Sequence, residues 1–140
     1  MNRLLYENSV AYQGHLIIPF LYSNIDGQNF YSYHLLSELG CKGKLHKAEN
    51  PAGIYASSIN DIIDIAKAHL EENSDIPQTW EIFKERYTCR HNLIIIYRMN
   101  NRFFYERYPP EELRNIADLK LFESQVECRK WIEEELDREK

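Results

Sequence analysis

The residues best suited to chemistry lie in one short run, Cys41 to Pro51, where Lys42, Lys44 and His46 alternate and Lys47 follows directly. Alternate side chains of an extended segment project from one face. These cations would then converge on a phosphate, a carboxylate or an acidic protein surface. The same pattern also has a protective use, because lysines on an open sheet edge keep neighbouring chains from pairing with it. The expected ligand set is Lys42, Lys44, His46 and Lys47, with Asn50-Pro51 turning the chain back towards the core.

Other constellations are thinner. Cys41 with His46 and Cys89 with His91 would give two thiolates and two imidazoles, an acceptable zinc set if the loop ends met. Their spacing is that of no known finger, and a single residue between Cys89 and His91 is tight for one ion, so no metal site is expected. His15, His34 and His69 occur singly and read as polar or core residues with their own partners. Asp118-Leu119-Lys120 has the acid-x-lysine form found in metal-dependent nucleases, but no second acidic ligand accompanies it. The chain has no nucleophile elbow, phosphate-cradling glycine loop, dinucleotide fingerprint or paired-histidine zinc motif. Catalytic residues are therefore not assigned, and no cofactor is expected.

Charge and composition narrow the partners. A net charge of -5 argues against a surface built for nucleic-acid backbone. One stretch runs the other way: Arg98, Phe103, Tyr105 and Arg107 could share a hairpin face and interleave cations with aromatic rings, as single-stranded nucleic-acid platforms do. The hairpin is apolar on both faces, however, and such a strand is usually covered. The ten tyrosines fall mostly near expected strands, where a ring can cover a sheet while its hydroxyl stays wet, and tyrosine is enriched at protein interfaces. The longest aliphatic run, Leu93 to Ile96, is far too short for a membrane span. Met1 to Ser9 lacks the apolar stretch of a signal peptide. Three cysteines, an odd number at wide spacing, suggest free thiols and a cytoplasmic location.

The elements that would carry these residues echo one another. Ser58 is followed three residues later by Asp61, and Ser124 by Glu127, the form of a capping box. Behind each serine runs an amphipathic stripe: Ile62, Ile65, Ala66, His69 and Leu70 in one helix, Cys128, Trp131, Ile132, Glu135 and Leu136 in the other. Short β-prone runs, Gly53 to Ser57 and Leu119 to Glu123, precede the caps. Hairpins are expected around Asp26-Gly27 and Asn100-Asn101. Short helices are expected over Ser32 to Leu39 and Pro110 to Ala117. Ile76, Trp80, Phe83 and Tyr87 form a stripe for a helix joining the halves.

The expected fold is thus a single α+β domain over residues 1–140, a mainly antiparallel sheet packed by helices, in two related ββαβα halves. Half one spans about 10–73, the connecting helix about 76–88 and half two about 91–138, with Cys41 to Pro51 as an insertion in the first half alone. The expected function is a non-enzymatic cytosolic interaction or regulatory protein that binds a protein partner or itself. The alternatives are a small enzyme or ligand-binding protein using the Lys/His anion site, and an RNA- or DNA-binding module.

Overall fold

Two hairpins with tight turns organise the chain. Asp26-Gly27 and Asn100-Asn101 all take the positive φ that a two-residue turn between twisted strands needs. The computed structural model describes residues 3–139. Strand β1 is Val10–Tyr12, β2 His15–Ile25 and β3 Gln28–Ser37, and they form an antiparallel sheet in that order. Helix α1, Ile59–Asn73, follows. Strands β4 (Arg86–Cys89), β5 (Asn92–Met99) and β6 (Arg102–Tyr108) build a second antiparallel sheet, again in sequence order, and helix α2, Gln125–Arg138, completes the fold.

Both helices start at the serines. Ser58 Oγ accepts from the N–H of Asp61 and Ser124 Oγ from that of Glu127, each at 3.1 Å. In α2 the Glu127 carboxylate also reaches back to the N–H of Glu123. Each helix buries its stripe against one sheet: Ile62, Ile63, Ala66 and Leu70 meet Ile17, Tyr33 and Leu35, while Cys128, Ile132 and Leu136 meet Ile94, Ile96 and Tyr105.

Alternation along the central strands sets the layers. The residues of β2 and β5 that do not face a helix, including Leu16, Ile18, Phe20, Leu93 and Ile95, share one buried cluster with Leu36, Phe83 and Tyr108. The sheets therefore pack face to face, each with its helix outside, in an α/β/β/α order. A strand buried on both faces must be apolar at every position, as Leu93-Ile94-Ile95-Ile96 is. The N-terminal segment stitches the layers together. Leu4 and Tyr6 lie in the shared cluster, Leu4 N donates to Pro110 O and Leu5 N to Pro19 O, and Tyr6 Oη donates to Pro109 O at 2.7 Å.

Several expected elements take other forms. Ser32 to Leu39 is no helix: β3 runs to Ser37, with Ser32 and Leu36 facing one side of the sheet and Tyr33 and Leu35 the other, and the turn follows at Gly40, where φ is +60°. Pro110 to Ala117 is irregular, pinned to β6 by Ile116 N donating to Arg107 O and by Asn115 Oδ1, which accepts from the N–H groups of Arg107 and Ala117. The helix over 76–88 is absent. Residues 82–85 make one 3-10 turn and 86–89 are β4, while Trp80 is 69% exposed. The cause is Glu38, whose carboxylate accepts from Thr79 Oγ1, Trp80 N and Ile82 N at 2.8–3.0 Å and captures the donors in a bent chain. The β-prone runs before the caps shrink to single bridges, Tyr31 with Ala56 and Phe103 with Phe122, so each half reads βββα rather than ββαβα. Neither three-residue β1 nor four-residue β4 is long enough to show periodicity in the sequence.

Candidate functional site

The insertion is not extended. Gly40–Lys42 is a 3-10 turn, further turns run through 44–47, and only then does the chain lie along the free edge of β3, with Lys47 N donating to Leu35 O, Ala48 O accepting from Leu35 N and Asn50 N donating to Tyr33 O. Residues 109–121 occupy the matching position on the edge of β6, so the second half carries a shorter loop there rather than none. Lys42 and Lys44 are consequently separated from His46. Both are exposed, and the backbone of Lys44 is tied to the end of α1 by its N–H to Asp75 Oδ2 at 2.9 Å. His46 turns inward, and its Nδ1 accepts from the N–H of Ser37 at 3.0 Å, in place of a strand partner.

His46 and Lys47 border a cleft of about 350 Å³ where the two sheets part. Its walls come from both halves: Leu36, Ser37 and Glu38 from β3 and its end, Tyr97 from β5, Phe104, Glu106 and Tyr108 from β6, with Ile82 and Phe83 at one side and Asn115 and Cys41 among the loop residues. Tyr97 stacks on Phe104 with centroids 4.9 Å apart. Tyr97 Oη and Tyr108 Oη donate to Glu106 Oε1 at 2.7 and 3.1 Å. Burial, reinforced by Glu106, raises both phenols far above the ordinary tyrosine value, so neither serves as a base. Burial also holds the His46 ring below the ordinary histidine value, with Lys47 adding to the effect and Glu106 opposing it. A neutral ring whose Nδ1 is an acceptor carries its proton on Nε2, where it is a fixed donor.

The remaining candidates are dispersed. Cys41 and His46 stand at the cleft, whereas Cys89 packs with the α2 cluster, and among the described residues no three histidine, cysteine or acidic side chains group as metal ligands. Burial pushes the Cys128 thiol up to about 11, which makes it inert. Lys120 lies over the Trp131 ring at 3.6 Å, a cation–π contact, and among the described residues no ion pair joins it to Asp118. The face expected as a stacking platform lies under α2: Phe103 packs in that cluster, Tyr105 Oη donates to Glu135 at 2.6 Å, and Arg107, 4% exposed, binds Glu139 through both terminal nitrogens at 2.6 and 2.7 Å. His15 is fully buried, with Nε2 3.8 Å from Asp75 Oδ1.

Sequence reasoning missed Glu106, Asn115 and the exposed hairpin ends. Glu106 and Asn115 matter through partners that only the fold brings near. The hairpin ends had a visible signal in Ile25, Met99, Leu119 and Leu121, apolar residues beside turns and caps. No helix among the described residues is long and apolar enough to cross a membrane. No family model, no curated protein and no solved structure matches the chain.

Proposed function

We propose that this chain is a non-catalytic cytoplasmic binding protein that engages a protein partner through the apolar ends of its two hairpins. The observation that carries this reading is where the exposed large apolar side chains lie. Tyr22 and Ile25 stand on the β2–β3 hairpin and Ile54 and Tyr55 on the segment that pairs with Tyr31, Met99, Leu119 and Leu121 stand together at the end of the second sheet, and Trp80 and Val126 are exposed elsewhere. The Tyr22 and Tyr55 rings are in contact, with centroids 4.6 Å apart, and Met99, Leu119 and Leu121 form with Phe104 a groove of about 340 Å³. Contiguous exposed apolar patches are uncommon on monomeric proteins and mark surfaces that meet another molecule.

The internal polar groups support a non-catalytic role, since the Glu38 and Glu106 carboxylates and His46 Nδ1 are engaged with the chain's own donors. Free thiols at Cys41, Cys89 and Cys128 fit a reducing compartment. The matched order of elements supports descent of the halves from one duplicated unit.

The test compares the parent with two double variants, Leu119→Asp with Leu121→Asp and Tyr22→Ser with Tyr55→Ser. All four positions are exposed, so unfolding midpoints should stay near the parent's. Immobilised parent should retain a defined protein from cell extract that at least one double variant loses, and sedimentation of the parent alone would reveal a second copy as that partner. Identical retention by all three, with the parent monomeric, would overturn the proposal.

A further inference from the structure

The cleft between the sheets holds hydrogen-bond donors with no partner among the described residues, and they come from two separate loops. His46 Nδ1 is occupied by the Ser37 N–H, which leaves Nε2–H without a partner among the described residues. Asn115 Oδ1 is occupied by two backbone N–H groups, which fixes the amide so that its Nδ2 group is the free end. Lys47 is exposed beside them, with φ at +62° and no ion pair among the described residues. One neutral N–H, one amide NH2 and one ammonium at a single opening have a common complement, an anionic oxygen group. The same cleft is lined by the stacked pair of Tyr97 and Phe104, an apolar surface suited to a ring or an alkyl chain.

We propose that this cleft binds the carboxylate of a small organic acid with an aromatic or alkyl body, with His46, Lys47 and Asn115 holding the carboxylate and Tyr97 and Phe104 the body. The size supports a small molecule, since about 350 Å³ lies at the lower end of ordinary ligand pockets. Glu106 sets the selectivity. Its Oε1 takes both tyrosine hydroxyls and, with Glu38, it lines the cleft as an acceptor with no donor to offer, so a second carboxylate on the ligand finds no partner there and a monoacid is favoured. This site is independent of the hairpin-end patches in its donors and shares only Phe104 with them.

The experiment titrates the full chain with 3-phenylpropionate, and in parallel with 3-phenylpropanamide and benzylsuccinate, while the Asn115 side-chain amide and the His46 ring are followed by NMR. The monoacid should shift both signals saturably, and the neutral amide and the diacid should bind about tenfold or more weakly. Asn115→Asp keeps the oxygen that pins the loop and replaces the donor with a negative oxygen, and Lys47→Asn suits the positive φ while removing the charge. Each should weaken the acid about tenfold, and Lys47→Asn should leave the amide unchanged, because the ammonium acts on the ligand's charge whereas the Asn115 donor serves a neutral carbonyl as well. Absence of saturable binding by the parent, equal binding of the amide, or parent-like affinity in both variants would each overturn the proposal. If Asn115→Asp disturbs its loop, as the Arg107 amide signal would show, Lys47→Asn decides the matter alone.

Discussion

A single carboxylate, Glu38, decides the course of the chain between the halves. It is nearly buried, and its two oxygens take three donors from residues 79–82. Glu38→Ala would leave those donors facing a gap, and unsatisfied buried donors cost about 1–3 kcal/mol each. The expected loss is about 3 kcal/mol in urea unfolding, with the Trp80 environment changed in fluorescence; a loss under about 1 kcal/mol would show that water replaces the carboxylate freely. The histidines make a pH prediction. His34 is held below its ordinary value by burial, opposed by Glu49, and His46 by burial and then Lys47. In the unfolded chain both take up a proton near pH 6.5, while in the folded chain they resist until lower pH. The unfolded state therefore binds more protons in that window, and stability is full above about pH 6.5 and falls as the pH drops below it. His46→Asn supplies an oxygen to the Ser37 N–H without a titrating ring, so the urea midpoint of that variant should fall less steeply between about pH 6.5 and 5 than the parent's. Parallel slopes would refute the assignment to His46. None of this was visible from the cations alone: Lys42, Lys44 and His46 alternate in sequence, but a 3-10 turn and the turns after it cancel the alternation, and the residues that line the cleft with His46 and Lys47 come from the distant β6 and its loop.

At the scale of elements, the most local signals were the most legible. The caps at Ser58 and Ser124 and the turns at Asp26-Gly27 and Asn100-Asn101 rest on bonds and dihedrals within four residues, and each stands where the residue types required it. The misread segments, Ser32 to Leu39 and 76–88, depend on distant partners. Tyr33 and Leu35 pair with β2 on one edge and with residues 47–50 on the other, so two sets of ladder bonds outweigh a helix-like spacing of leucines, and Glu38 does the same for the 79–82 turn. The caps give the prediction at this scale. Ser58→Ala and Ser124→Ala each remove one acceptor from an orphan N–H and should cost about 1 kcal/mol. Because α1 and α2 lie on opposite outer layers with no shared cluster, the double variant should show the sum within about 0.5 kcal/mol. A double variant no less stable than either single one, measured by thermal unfolding, would mean that the helix starts are held by packing alone.

For the whole molecule the question is whether the two halves are separate folding units or one. Each has its own helix, sheet and outer cluster, which taken alone would suit two small domains. The cluster between the sheets argues otherwise. It draws Leu16, Ile18 and Phe20 from one sheet, Leu93 and Ile95 from the other, and Leu4 and Tyr6 from the N-terminal strap. A three-stranded sheet with one helix, exposing that apolar inner face, would have too little core to stand by itself. The chain should therefore unfold in one transition. Ile95→Ala, a truncation at a fully buried position on the inner face, should cost about 2–5 kcal/mol and should raise hydrogen exchange in α1 as much as in α2, although the residue lies in the second half. Ile132→Ala, on the outer face under α2, should behave alike if folding is cooperative throughout. Retained protection of α1 amides in either variant while α2 exchanges freely would show that the halves uncouple, and would recast the inter-sheet cleft as a hinge between domains rather than a pocket in one.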